Sequence, residues 1–272
     1  METLTYTCEV ISPMFLTGAD GDTPELRPSS LKGAMRFWWR ALNGHLPLTD
    51  RTEKRRDETI FIRTGLKTRE TQIFGGAGGG QDAQRSSFSI QIRATEVDIQ
   101  SEALVPHKRF MKAKAFTTGS AFEVIFRFPK GYKISAKENE KEIIFDQEKL
   151  DALFRLTCIL GELGKRVRRG MGSVSVESIS MPTLFKYISV MTPFYKREDN
   201  LIVNIFKGRI EDYGVIEEIE IGTPTEVAPF LLKVSEATHH GKAKHKESYE
   251  VSMRHAIPLD IWKSCRNFIL LR

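Results

Sequence analysis

The sequence has no long apolar segment and few cysteines. In its 272 residues, no hydrophobic run approaches the ~18–20 residues that a membrane-spanning helix needs. Its first residues, METLTYTCEV, lack the charged and apolar regions of a signal peptide. The three cysteines, Cys8, Cys158 and Cys265, form neither a CxxC pair nor a disulfide framework. We therefore expect a cytoplasmic protein with reduced thiols and no membrane contact.

Enzyme signatures are also missing, because the chain contains no GxSxG, HExxH or GK[ST] motif of the required form. His239, His240 and His245 have no cysteine or acid at ligand spacing, and their cationic setting repels metal ions. Asp20 and Asp22 lie in the segment GADGDTPE before the first predicted helix, where aspartates commonly form turns. The sequence therefore favours a non-catalytic protein without a metal or cofactor.

Acidic residues are scarce in segments that are rich in lysine and arginine. Residues 24–69 hold eleven basic residues against five acidic ones, and residues 103–116 and 163–170 each hold four basic residues and no acidic one. Residues 196–226 are the reverse, with four basic and eight acidic residues, and their role stays open. With a net charge of +6, this distribution predicts one basic face for an anionic partner.

Hydrophobic spacing predicts the order of the first elements. Strands are expected at 3–11, 86–97, 120–128 and after 172, and helices at 29–43 and 147–163. The order strand, helix, strand, strand, helix, strand predicts an α+β, ferredoxin-like (RRM-like) βαββαβ domain over residues 1–180. Long insertions are expected at about 45–85 and 98–118.

Residues 181–272 give weaker signals and predict a smaller, degenerate α+β unit, which would be a reduced second ferredoxin-like domain. FKYISVMTPF at 185–194 and LIVNIF at 201–206 are expected to form strands. A short helix and a terminal strand are expected in PLDIWKSCRNFILL at 258–271.

The helix predicted at 29–43 has an apolar and a basic side. The apolar stripe predicts core packing and comprises Leu31, Met35, Trp38 and Leu42. The basic stripe comprises Lys32, Arg36 and Arg40, and the helix holds no acidic residue to neutralise it. Ser29 or Ser30 would cap the helix, and Gly33 in its first turn would let an anion approach the N-terminus. Trp39 is left open as either a core residue or a stacking platform.

Two further segments combine cations with features that suit a nucleic acid. In LGELGKRVRRGMGSV, four glycines punctuate the cations Lys165, Arg166, Arg168 and Arg169, so backbone amides and arginine side chains could bind phosphates together. In PHKRFMKAKAF, aromatic residues alternate with cations, a pattern that stacks on bases while following a backbone. A solvated hairpin explains the second segment equally well.

ELRPSSLKGAMRFWWRAL and the later LGELGKRVRRGMGSV resemble the RAMP superfamily of CRISPR RNA-binding proteins. Within it, the chain is most similar to the family of the first-numbered RAMP subunit of the type III-B (Cmr) effector complex. The resemblance implies a ferredoxin-like, non-catalytic subunit of an antiviral ribonucleoprotein. Such a subunit contacts the 3′ part of the guide RNA and its duplex with target RNA, beside other RAMP subunits.

The predicted RNA-binding residues come from three segments. These are the basic helix at 29–43, the hairpin segment PHKRFMKAKAF and the loop within LGELGKRVRRGMGSV, which we call the glycine-rich loop. They are Arg27, Ser30, Lys32, Gly33, Arg36, Trp39, Arg40, Lys108, Arg109, Lys112, Lys114, Gly164, Lys165, Arg166, Arg168, Arg169 and Gly170. Two alternatives remain. One is a metal-independent RAMP endoribonuclease that processes CRISPR RNA with His45 or His107 as its base. The other is a structural subunit that contacts mainly acidic protein neighbours.

Overall fold

A computed structural model describes residues 1–54, 60–76, 83–104, 110–136, 139–167, 170–176, 180–199, 201–207, 218–221, 257–258 and 268–271. Within them the chain is a mixed α+β protein with four helices and antiparallel sheets. The helices are α1 (Pro28–Leu42), α2 (Leu66–Phe74), α3 (Gln147–Leu160) and α4 (Met181–Met191). The strands are β1 (Glu2–Val10), β2 (Arg51–Lys54), β3 (Ile60–Arg63), β4 (Ser89–Glu96), β5 (Ile99–Ala103), β6 (Lys112–Phe116), β7 (Ala121–Phe128), β8 (Lys133–Ala136), β9 (Asn139–Asp146), β10 (Val174–Ser175), β11 (Tyr195–Glu198), β12 (Leu201–Asn204), β13 (Glu218–Ile221), β14 (Ile257–Pro258) and β15 (Phe268–Leu271).

The principal sheet has the order β10-β1-β7-β4, and every neighbouring pair in it is antiparallel. Its strands form where apolar residues alternate, as in β7, where Phe122, Val124, Phe126 and Phe128 are all buried. The inward side chains of β1 and β7 belong to one core cluster with the buried stripes of α1 and α3. The strands expected at 3–11, 86–97 and 120–128 are confirmed as β1, β4 and β7.

Ring contacts fasten α3 to the sheet. The Tyr6 ring centroid lies 4.4 Å from that of Phe154, and the Phe126 and Phe154 centroids are 5.1 Å apart. The Tyr6 hydroxyl donates a hydrogen bond to Asp151 Oδ1 at 2.5 Å, and Arg155 Nε donates to the same oxygen at 2.8 Å. These polar contacts satisfy a partly buried hydroxyl and carboxylate at the rim of the core.

The other face of the principal sheet is mainly polar. Besides Ile125, its outward side chains include Thr3, Thr5, Thr7, Gln91, Arg93, Glu123 and Arg127. Arg127 Nη2 donates to Gln91 Oε1 at 2.6 Å, and Arg93 pairs with Glu123 at 3.4 Å. These outward positions carry no aromatic residue, so this face lacks the rings on which RRM sheets stack RNA bases.

The strand expected at 185–194 is wrong, because α4 occupies most of that segment. Ser180 caps the helix by accepting a hydrogen bond from Thr183 N at 3.3 Å, and a proline stands in the first turn. Leu184 and Ile188, one turn apart, are fully buried. This helical spacing of buried residues outweighs the β propensity of the segment. The strands expected at 201–206 and at the end of the chain are confirmed as β12 and β15. The short helix expected before the terminal strand lies outside the described residues.

The segment 45–85 contains more regular structure than a surface insertion implies. It forms the hairpin β2–β3 and then α2, whose Ile73 and Phe74 are buried in the core cluster. The segment 98–118 is the hairpin β5–β6. The core cluster also includes Leu184 of α4 and Ile202 of β12, so it continues past residue 180. A domain boundary at residue 180 stays a prediction.

Substituting two glycines by alanine should have opposite effects on the free energy of unfolding. A Cβ atom at Gly161 would lie 2.3 Å from Trp38 Nε1 and 2.6 Å from the Thr157 carbonyl oxygen. Gly161→Ala should therefore destabilise the fold by about 1–3 kcal/mol. A Cβ atom at Gly33, inside α1, would meet nothing within 4 Å, so Gly33→Ala should stabilise it by up to ~1 kcal/mol.

Urea unfolding of both variants checks these signs. Equal effects of the two substitutions would contradict the close packing of α1 against the end of α3.

Candidate nucleic-acid interface

A short segment between β1 and α1 brings two basic segments together. Met14 and Phe116, at the end of β6, form two backbone hydrogen bonds with each other, with N to O distances of 2.9 and 3.0 Å. The next residue, Phe15, accepts a hydrogen bond from Lys165 N at 2.9 Å. The hairpin β5–β6 and the glycine-rich loop, distant in sequence, therefore flank the same stretch of backbone.

The glycine-rich loop adopts a conformation that few residue types allow. Gly164 has a φ of +97°, and a Cβ atom there would lie 2.5 Å from the Phe15 carbonyl oxygen. Gly170, with a φ of +74°, accepts a hydrogen bond from Ser12 Oγ at 2.7 Å. Arg166 has a φ of +66°, which is unusual for a residue with a side chain. The loop is thus fixed to residues 12–15 by its own backbone.

The described cations at this junction are exposed. Lys165 and Arg166 of the loop are exposed, as are Lys112 and Lys114 of β6. Lys165 Nζ donates to the Gly21 carbonyl oxygen at 2.7 Å, which turns the ammonium toward the β1–α1 connection. Of the other predicted residues here, Lys108, Arg109, Arg168 and Arg169 lie outside the described residues, as does His107.

The basic stripe of α1 has an acidic partner that the helix sequence does not contain. Glu70 of α2 lies 3.6 Å from Arg36 Nε and 3.5 Å from Arg40 Nη1. Arg36 Nη2 also donates to the Gly75 carbonyl oxygen, and its guanidinium lies over the Phe74 ring. The helix itself supplies no neutralising acid, as predicted, but α2 does, and both arginines help to hold α2 against α1.

Glu70 nevertheless leaves positive charge on this side of α1. Arg36 Nε is buried and lacks a hydrogen-bond acceptor among the described residues, since 3.6 Å is too long for one. Lys32 Nζ lies 5.7 Å from the centre of the Phe88 ring. Burial, reinforced by the nearby Arg36 charge, lowers the pKa of Lys32. An additional anion would relieve this concentration of charge.

Trp39 is buried, so it is removed from the predicted RNA-contacting set. Only 2% of its surface is exposed, and its ring meets the Phe74 ring with centroids 6.4 Å apart. Phe37, which was not among the predicted residues, is 57% exposed. The sequence could have indicated this exposure, because Phe37 does not belong to the helically spaced apolar stripe that faces the core.

The start of α1 differs from its prediction. The helix begins at Pro28, and Arg27 is the N-cap residue without a side-chain cap, so Ser29 and Ser30 lie inside the first turn. Arg27 pairs loosely with Glu25 at 4.0 Å. Ser30 is half-buried, whereas Gly33 is exposed with open space above it.

Two candidates for catalysis have structural roles. The Asp20 carboxylate accepts hydrogen bonds from Asp22 N at 3.1 Å and from Thr23 N at 3.0 Å. These bonds and one from the Thr23 hydroxyl lower the pKa of Asp20, as expected for a turn. The His45 ring packs against Phe194 and Phe206, with centroid distances of 4.3 and 5.7 Å.

Neither a metal site nor a membrane-spanning helix is found in the described part of the chain. No group of three or more histidine, cysteine, aspartate or glutamate residues there has the arrangement of a metal site. None of the helices described is long and apolar enough to cross a bilayer. The cluster of His239, His240 and His245 lies outside the described residues.

Comparison with known proteins identifies the family. Residues 7–175, more than half of the chain, match the sequence model of the RAMP superfamily. The CRISPR system Cmr subunit Cmr1-2 of Pyrococcus furiosus is 29% identical over 181 residues, which cover 64% of this chain and 95% of that protein. The crystal structure of Cmr1 from Pyrococcus furiosus in its apo form has 17% sequence identity and a TM-score of 0.58, covering 100% of this chain and 88% of that one.

The chain therefore belongs to the RAMP superfamily, and it shares its α+β fold with the apo Cmr1 structure.

Neutralising Glu70 should destabilise the fold in a salt-dependent way. Glu70→Gln keeps the size of the side chain but leaves Arg36 and Arg40 without its charge. The pairs are partly exposed, so the free energy of unfolding should fall by about 1 kcal/mol at low salt. High salt screens the repulsion, so the difference should narrow.

Urea unfolding at low and high salt measures both effects. Glu198→Gln is the matched control, because Glu198 pairs with Lys196 on an exposed surface and its removal should change stability by less than ~0.5 kcal/mol. A Glu70→Gln effect as small as that of the control would contradict the bridging role.

Proposed function

We propose that this protein is a non-catalytic RNA-binding subunit of a type III-B CRISPR effector complex and acts in antiviral defence. The proposal depends on the junction at residues 14–15, where β6 and the glycine-rich loop, both with exposed cations, flank one stretch of backbone. The similarity to a Cmr1 subunit over 181 residues supports the type of complex.

We propose that this α+β fold has a ferredoxin-like topology. The elements β1, α1, β4, β7, α3 and β10 follow one another as βαββαβ, with the hairpins and α2 inserted between them. The order β10-β1-β7-β4 and its antiparallel pairing support this assignment. We propose that residues 1–180 form this domain and that 181–272 add a smaller α+β unit.

RNA binding would act mainly through phosphates. Lys165 and Arg166 are exposed on a loop whose backbone is fixed, so little conformational entropy is lost when an anion binds. Lys112 and Lys114 extend the cationic surface along β6. The polar outer face of the principal sheet supports a binding mode with little stacking on the sheet.

The proposed ligands are the 3′ part of the guide RNA and its duplex with target RNA, and the proposed neighbours are other RAMP subunits. We propose Arg168 and Arg169 of the glycine-rich loop as further phosphate contacts. Lys108 and Arg109 are proposed as contacts from the hairpin segment. Arg27, Ser30, Lys32 and Gly33 would contribute from the start of α1.

Removing the loop cations should weaken RNA binding without unfolding the protein. The double variant Lys165→Ala and Arg166→Ala should reduce the slope of log K against log salt by ~2, about one unit for each phosphate-binding cation that is removed. The loop is preferred to Arg36 and Arg40, because those arginines also hold α2, whereas Lys165 loses only an exposed hydrogen bond to the Gly21 carbonyl. Fluorescence anisotropy with a labelled single-stranded RNA measures the affinity.

The matched control removes the same charge elsewhere. Lys130 and Lys133 are exposed and follow the end of β7, which pairs with the start of β1. The junction follows the other end of β1, so the two pairs of cations belong to opposite ends of this strand. Lys130→Ala with Lys133→Ala should leave the salt slope unchanged apart from a small long-range effect. Equal reductions in affinity for both double variants would mean that net charge alone governs binding and would refute the site.

The endoribonuclease alternative makes a different prediction. Incubation with CRISPR repeat RNA in EDTA should give no specific cleavage if the protein only binds. Cleavage at one position that is abolished in His45→Ala or His107→Ala would overturn the non-catalytic assignment. If RNA instead fails to bind and the chain associates only with protein neighbours, the structural-subunit alternative holds.

A further inference from the structure

The exposed side of α1 carries an aromatic ring that the core does not bury. Phe37 is 57% exposed, while its neighbours Trp38 and Trp39 are 8% and 2% exposed. The Phe37 and Trp38 rings meet edge to face, with centroids 5.2 Å apart and planes at 87°. This contact with a buried indole orients the Phe37 ring and leaves much of its surface open to solvent.

The surface of α1 is open one turn before Phe37. Gly33 lies one helical turn before Phe37, on the same side of α1. Helical side chains generally cover the surface of the preceding turn, so the surface at Gly33 is next to the Phe37 side chain. A Cβ atom at Gly33 would meet nothing within 4 Å. The missing side chain therefore leaves room for a flat group next to the ring.

The charges around Phe37 favour a ligand that is both flat and anionic. Arg36 and Arg40 adjoin it on α1, and the side chain of each is 33% exposed. Both arginines pair with the carboxylate of Glu70, and Lys32 is a third cation near Arg36. A base joined to phosphates suits a ring among cations, whereas an apolar protein segment would have to desolvate them.

We propose that Phe37 is a base-stacking platform, on which one unpaired base of the bound RNA lies above Gly33 while its adjoining phosphates face Arg36 and Arg40. This inference rests on the proposed RNA-binding function and assigns a residue to it. It adds a stacking position on α1, where Phe37 is exposed and Trp39 is buried.

Replacing Phe37 by Leu tests the role of the aromatic face, because the side chain stays apolar and similar in size. Wild type and the full-length variant are compared with two probes, a labelled oligouridine and an abasic oligomer with the same ribose–phosphate chain. Phe37→Leu should weaken oligouridine binding by about 5- to 150-fold and leave binding of the abasic oligomer unchanged. Phe37→Trp should bind oligouridine at least as tightly as wild type.

Each other outcome overturns a defined part of the proposal. If Phe37→Leu binds oligouridine as wild type does while the Lys165/Arg166 double variant binds it weakly, the stacking role is wrong and RNA binding stands. If Phe37→Leu keeps its RNA affinity but no longer copurifies with other effector subunits, this face of α1 is a protein contact and the stacking role is wrong. If wild type binds neither oligomer, the proposed function and the stacking role fail together. Urea unfolding confirms that the exposed substitution leaves the fold intact.

Discussion

Backbone hydrogen bonds of two consecutive residues, Met14 and Phe15, determine the arrangement of the proposed RNA-binding surface. Met14 pairs with the end of β6 and Phe15 with Lys165, so one strand-like segment joins the hairpin to the glycine-rich loop. Without this pairing, the two basic segments would be separate surface loops, each with too few charges to define a site. The glycine at 164 is required by the same contact, because a side chain there would collide with the Phe15 carbonyl.

Elements with a strong hydrophobic period could be predicted from the sequence. The alternation in β7 and the helical stripe in α1 each correspond to buried residues, and the core cluster contains both. The basic character of the glycine-rich loop was also evident, since residues 163–170 hold four cations and no acid. These features are local, so a window of about one element contains the information that fixes them.

Features that depend on a partner from elsewhere in the chain could not be predicted in this way. Glu70 belongs to α2, and nothing within α1 indicates that Arg36 and Arg40 meet it. The assignment of Trp39 depended on the width of the buried stripe, which is set by packing against Phe74 of the same α2. At α4, tertiary burial of Leu184 and Ile188 outweighed a local preference for strand. In each case the deciding contact lies far away in sequence.

The structure also separates two kinds of interaction that the sequence presented as one. Lys165 and Arg166 are exposed on a loop with a fixed backbone, which suits phosphate contacts that are independent of base identity. On α1 the arginines are partly committed to Glu70, and the exposed group beside them is the Phe37 ring. An RNA that followed both surfaces would therefore be positioned by charge at the loop and held by stacking at the helix. Because stacking is insensitive to salt compared with phosphate contacts, the two contributions differ in a measurable physical property as well as in location.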